Sequence, residues 1–343
     1  IRSMRGQDLL IVPVVSLFFA MGGVVQNMQE EIIPLIPVLM ILCARLGFTP
    51  MVAVAMSAGA AFVGSAFSPI NPFQVQIAQR TAQVELLSGA GFRIVFLVLA
   101  LGLWIGATMR YASATRTAAQ GAQPGLGESM TGRDAVVLAM LGSTFALMVI
   151  GLARWDWDFD QMSGAFFIMG VLVGFVARMG LTGTAEAYVK GFREMAYAAL
   201  LIGFARAIST VLEQGLVIDT IVNGLFAPLE QLPRTASALG MIVGQALLHV
   251  PVPSVSGQAV LTMPVLVPLA DLLGLSRQVI VLAYQYGAGL CDLVTPTNGA
   301  LMAILAAAGV RFDEWLRFTG PLYLLLVALG GVSVAVAIAV GLQ

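Results

Sequence analysis

The sequence predicts an all-α integral membrane protein made of inverted repeats, each with a re-entrant hairpin and a broken transmembrane helix. Three observations carry that reading. The chain is 59% hydrophobic and only 10% charged, with a mean hydropathy of +0.93, whereas a soluble domain carries roughly 25% charged residues. The apolar stretch around Gly287–Gly299, GAGLCDLVTPTNG, cannot continue as one helix through Thr295-Pro296-Thr297-Asn298-Gly299. Pro296 has no N–H to donate and Gly299 disfavours helix, and such a break survives in a membrane only inside protein or against a wet cavity. Finally, 227 positions earlier the chain reads Ser68-Pro69-Ile70-Asn71-Pro72, and Pro37-Val38-Leu39 recurs as Pro264-Val265-Leu266 in the same register. Two copies of a unit with an interrupted helix are the mark of a secondary transporter.

The elements follow in order. Asp8–Val25 and Ile32–Ala44 are each short of the roughly 20 residues of a full span. They read as arms of a hairpin whose tip carries Asn27, Glu30 and Glu31. Pro50–Arg80 is the first broken helix and Phe92–Met109 a span. Residues 1–109 are thus the later part of a first repeat. Residues 110–133, rich in Ala, Gly, Ser and Thr, form a linker. Residues 134–343 hold the second repeat. Its spans are Ala135–Leu152 and Gly164–Val176, joined by the turn RWDWDFD. A surface amphipathic helix is expected over Thr182–Met195 and a span over Ala196–Phe226. A second hairpin has arms Ala236–Val250 and Gln258–Leu273 around the tip VPVPSVSG. The second broken helix, Gln278–Ala308, and a last span, Pro321–Leu342, complete it. Subtracting 227 from the spans that start near Asp134 puts their counterparts before residue 1, so the first repeat is expected to lack roughly 90 or more leading residues.

Alternating the loops between two sides puts eleven Lys and Arg with the 110–133 linker. Five fall opposite, Arg80, Arg93, Arg154, Arg234 and Arg277, beside the acidic turn RWDWDFD. The excess marks the linker side as cytoplasmic, so the two hairpins enter from opposite faces. Arg206, in GFARAIST, is left inside a span. It is either a clamp for a substrate carboxylate or a partner for a buried acid such as Glu213.

The breaks and tips supply the candidate chemistry. Glu30 and Glu31 at mid-membrane would carry a proton, bind a cation or pair with Arg; at a shallow tip they would only be solvated. Ser254 and Ser256, near helix N-termini, suit an anionic group, although membrane serines often bond their own backbone. Ser68, Asn71, Thr295, Thr297 and Asn298 flank the two breaks. Freed carbonyls there, with Ser68, Asn71, Thr295 and Asn298, would hold Na+, and the following half-helices would aim N–H groups at a carboxylate. Asp292, four residues before Pro296, is a proton or ion ligand candidate. His249, the single histidine, either titrates or serves a helix-end hydrogen bond.

The segments MQEEIIPLIPVL, AFSPINPFQV, GFARAIST, VPSVSGQAVLTMPVLVPLADLLG and GLCDLVTPTNGALMAILAAAGV closely resemble the YfcC family of bacterial inner-membrane carriers, in the group of C4-dicarboxylate anaerobic carriers. More distantly the chain is similar to the ion transporter superfamily. The resemblance implies a multi-pass protein of the inner membrane and elevator-type transport by a homodimer. It implies Na+- or H+-coupled symport or exchange of a small anionic or zwitterionic substrate, a dicarboxylate or an amino acid, with no other cofactor. It places hairpin-tip roles on Asn27, Glu30, Ser254 and Ser256, and break roles on Ser68, Asn71, Thr295, Thr297 and Asn298. Acids at one tip and serines at the other fit an amino acid better than a symmetric dicarboxylate. A channel or non-transporting membrane protein, and behind these a membrane enzyme, are the competing classes. No HExxH, no clustered cysteines and a near-neutral net charge of −1 speak against a metalloenzyme or a nucleic-acid partner. Cys43 and Cys291 sit in apolar segments as packing residues.

Overall fold

The computed structural model describes residues 8–117, 132–155, 157 and 159–342, all helix and loop with no strand among them. Two units separate: Ile1–Gln120 with Tyr197–Gln343, and Gly121–Ala196. The second unit contains α6 (Gly132–Arg154) and α7 (Phe159–Val176). A single helix, α8 (Gly180–Gln214), runs where the sequence reading has a surface helix followed by a span. The charged residues between 186 and 194 do not interrupt it, because Glu, Lys and Arg are good helix formers. The stop comes at Gly215–Val217, and α9 (Ile218–Phe226) follows.

In the first unit, α1 (Ile11–Gln26) ends at Asn27, which takes the left-handed conformation as a C-cap. A 3-10 turn, Glu30–Leu35, leads into α2 (Ile36–Leu46), stopped by the left-handed Gly47. Helix α3 (Pro50–Ala66) loosens to a π turn at Ala55–Gly59. After the break, a second π turn, Pro72–Gln76, feeds α4 (Ile77–Thr81), and α5 (Ala90–Ala114) follows. The order then repeats: α10 (Arg234–His249), α11 (Val255–Leu273) stopped by the left-handed Gly274, α12 (Arg277–Cys291), a break, α13 (Gly299–Ala308) and α14 (Phe312–Ala339). Gly47 and Gly274 differ by 227, as do the breaks. At 1.5 Å per residue, α5 and α14 exceed the roughly 30 Å of a bilayer core, whereas α1 and α10, of 16 residues each, reach only about 24 Å.

Packing between the copies is reciprocal. In each copy the first hairpin arm lies on its own broken helix, α1 on α3 and α10 on α12. Each second half-helix lies on the other copy's hairpin, α4 on α11 and α13 on α2, while α3 meets α12 and α5 meets α14. Reciprocal contacts of this kind are what a two-fold relation produces. Small residues permit the close approach. A Cβ on Gly23 would lie 2.0 Å from the Ala61 carbonyl oxygen, and one on Gly64 2.4 Å from that of Ala20. Two indoles close the loosened backbone: Trp104 Nε1 donates to the Ala55 carbonyl at the π turn (2.9 Å), and Trp315 Nε1 to that of Leu293 at the second break (2.7 Å).

Candidate functional site

Each break is rebuilt by its asparagine. Asn71 Oδ1 accepts from the backbone N–H of Phe73 (2.9 Å) and Gln74 (3.0 Å), and Asn298 Oδ1 accepts from that of Leu301 (2.9 Å). These are N-caps, which satisfy donors that a broken helix would otherwise leave orphaned. With its oxygen so engaged, each amide turns its NH2 inward. Asn71 Nδ2 donates to the Gly23 carbonyl at 2.8 Å, and Asn298 Nδ2 to Asp292 Oδ1 at 2.7 Å.

Around the first break the cluster is neutral. Asn71 and Gln74 both donate to Ser65 Oγ, and Gln74 Nε2 also to Asn27 Oδ1 (2.9 Å); Ser65 Oγ donates to Asn27 Oδ1 as well. Gln74 Oε1 is buried against Gly289 without a hydrogen-bond partner among the described residues. Ser68 Oγ donates to the Val24 carbonyl (2.7 Å) and accepts from Ile70 and Asn71 N–H.

The second break carries an acid. Asp292, which stands where the first copy has Ser65 (292 − 65 = 227), is 3% exposed. Gln29, from the first hairpin, donates to its Oδ2 at 2.9 Å, and Asn298 Nδ2 reaches Gln29 Oε1 at 3.2 Å. His249 Nε2 lies 2.8 Å from Asp292 Oδ1, and its Nδ1 lies 2.9 Å from Gln258 Oε1. The junction therefore joins the first hairpin, the second hairpin and the second break in one buried network.

Of the sequence-predicted residues, Asp292 and Asn298 are at its centre. Asn27, Ser68 and Asn71 form the neighbouring neutral cluster. Thr295 Oγ1 pairs with Cys291 Sγ at 3.0 Å, and Thr297 Oγ1 donates to the Val250 carbonyl (2.5 Å), tying the break to the second hairpin. Ser254 caps α11, accepting from Gly257 N–H (3.2 Å), and Ser256 is half-buried beside it. Glu31 accepts from the Gln29 N–H (3.1 Å), and Glu30 is exposed at the tip. The oxygens expected to cage Na+ are already engaged: both Asn amides face inward with donors, and Ser68 Oγ is saturated. The side chains of Arg206 and Glu213 lie outside the described residues.

Sequence reasoning missed Gln29, Gln74, Gln258 and Arg93, and gave His249 no partner. Arg93, counted above as a loop charge, is fully buried. Its Nε donates to Gln285 Oε1 (3.0 Å), Nη2 to Gln278 Oε1 (2.8 Å) and Nη1 to the Ser88 carbonyl (2.9 Å). Gln285 Nε2 in turn donates to the Ser68 carbonyl at the first break (2.7 Å). A signal existed in the repeat register: Ser65 becomes Asp292 and Gly22 becomes His249 at the same offset, so the copies differ where they meet.

Comparison with known proteins agrees with this architecture. A solved structure, the YdaH transporter of Alcanivorax borkumensis, described as having an unusual topology, superposes with a TM-score of 0.57 at 18% identity, covering 96% of this chain and 78% of that one. YfcC of Escherichia coli (strain K12), whose naming as a basic amino acid antiporter is provisional, is 34% identical over 97% of this chain and 71% of its own length. A Haemophilus influenzae protein of unassigned function is 29% identical over 98% and 70%. The model of the family described as C4-dicarboxylate anaerobic carrier matches residues 1–340. With a match of that extent, and helix breaks, hairpins and apolar spans of a transporter, the chain is a membrane protein that belongs to the DcuC family of C4-dicarboxylate anaerobic carriers.

Proposed function

We propose that the protein is a secondary active carrier of the bacterial inner membrane, moving a small carboxylate or amino acid by ion-coupled symport or exchange. The observation that carries this is the junction itself: two capped helix breaks each hold a buried polar cluster, and at the second break Asp292 is joined by Gln29 of the first hairpin and His249 of the second. Irregular backbone at such depth is how carriers build a substrate site between repeats. The substrate face is the rim of that junction, where Glu30 is exposed and Ser256 and Thr297 are half-buried. Among the described residues neither Glu30 nor Glu31 forms an ion pair. Two acids with no ion pair among the described residues favour a substrate with a positive end, so a basic amino acid ranks ahead of a C4-dicarboxylate. The name given to the Escherichia coli relative supports the former and the family description the latter. Movement is of the elevator type in a homodimer, in keeping with first hairpin arms, α1 and α10, that reach only about 24 Å.

The test is uptake into proteoliposomes of L-arginine, L-lysine, succinate and fumarate, under imposed proton or Na+ gradients. Saturable uptake of a cationic amino acid, with counterflow, is expected. Flux that rises linearly with concentration and shows no counterflow would make the protein a channel and end the carrier reading.

A further inference from the structure

The amides around His249 fix where protons can be. Gln258 Nε2 donates to the backbone carbonyl of Gln245 at 2.7 Å. A carbonyl only accepts, so that amide cannot be turned round, and Gln258 Oε1 must be the atom facing His249. Thr262 supports the same order. Its hydroxyl donates to the Gln258 carbonyl (2.8 Å) and accepts from Gln245 Nε2 (2.8 Å), which leaves Gln245 Oε1 to accept from Gln258. His249 Nδ1 therefore carries a hydrogen and donates it to Gln258 Oε1.

What remains is Nε2, facing Asp292 Oδ1 at 2.8 Å. A neutral ring with its hydrogen on Nδ1 offers only a lone pair there. The other neighbours of Asp292, Gln29 Nε2 and Asn298 Nδ2, are both donors, and Asn298 is held that way by its cap on Leu301 N–H. Two lone pairs facing each other at that distance in a buried site repel, which places a further proton between Nε2 and Oδ1. With it the pair is neutral, as imidazolium and carboxylate or as imidazole and carboxylic acid. Without it a net charge of −1 is buried and two acceptors repel.

We propose that His249 and Asp292 form a proton-binding latch. One proton between Nε2 and Oδ1 closes the second hairpin, which ends α10 at His249, onto the break after α12. Its loss to water releases that hairpin and, through Gln29, the first hairpin as well. Built on the carrier reading above, this makes H+ the coupling ion. The acids and phenols around the pair are few. Glu30 and Glu31 approach from the 3-10 turn, Tyr284 and Cys291 from α12, and Tyr323 from α14 through Cys291. The remaining charges of α10 and α11, Arg234 and Asp271, sit at the far ends of their helices, and α13 has none.

The experiment is the thermal midpoint of the protein in lipid nanodiscs between about pH 5 and pH 9, the interval in which a histidine changes charge. The chain has a single histidine, so a step is assignable. The wild-type midpoint should fall as pH rises, because the proton that closes the latch is lost. Asp292→Asn, which has no carboxylate to share a proton with Nε2, and His249→Gln should both lose the step. A flat wild-type profile, or a step that survives in both variants, overturns the latch. Proteoliposomes with a pH dye inside separate the two proposals. Saturable L-arginine or succinate uptake with no proton movement overturns H+ coupling while the carrier stands. A step lost in both variants, with no uptake of any substrate tested, supports the latch and removes the carrier reading.

Discussion

At the scale of single residues, Asn71 and Asn298 do two jobs at once, and the sequence shows only one. Their recurrence after a proline marks the breaks, which is why both were legible. That each oxygen caps a half-helix while each NH2 points into the core depends on side-chain geometry and could not be read from spacing. Replacing either with Ala should remove a cap, at about 1 kcal/mol, and strand buried partners at roughly 1–3 kcal/mol more. Asn298→Ala should lose transport, since it takes a donor from Asp292. Asn71→Ala should chiefly lower the thermal midpoint, because all its bonds are to its own copy. Equal midpoints for both variants and wild type would show that the breaks stand without their caps. The glutamines were illegible for a plainer reason. No motif marks Gln29, Gln74, Gln258 or Gln285, and two of them find their partners far away in sequence, Gln29 with Asp292 at 263 positions and Gln285 with Arg93 at 192. Only the fold brings them together.

At the scale of elements, the hairpins and breaks were readable because membrane geometry penalises short or proline-interrupted helices unless protein surrounds them. Among the described elements the misreading lies at α8 and α9: charge was taken as a change of environment although it leaves helix propensity intact, and the expected span Ala196–Phe226 is broken at Gly215–Val217. Close packing of α1 on α3 rests on Gly23 and Gly64. Gly64→Ala should therefore push the helices apart, costing roughly 1–3 kcal/mol as overpacking and lowering the monodisperse fraction in detergent. Gly102→Ala, with open space at its Cβ position, should not. If the two variants behave alike, the glycines of the α1–α3 contact are not what sets its distance.

At the scale of the whole molecule, the charge count expects the 110–133 linker in the cytoplasm. The structure removes Arg93 from the opposite side, which raises the excess from eleven against five to eleven against four. A cysteine at Gly125 should resist an impermeant thiol reagent added to intact cells. Cys43 and Cys291 are both buried and free, so background labelling should be low. Rapid labelling from outside would reverse the orientation. The buried Arg93 also sets a schedule for assembly. The amide oxygens that receive it lie 185 and 192 residues further along the chain. At bacterial elongation rates of about 5–20 residues per second, that is a wait of roughly 10–40 s. For that interval α5 carries a guanidinium with neither Gln278 nor Gln285 in place, and its charged end must reach back to the headgroups. Helix α5 can settle at its final depth only when α12 arrives, so the first copy is completed by the second, and the ribosome sets the earliest moment at which the fold can close.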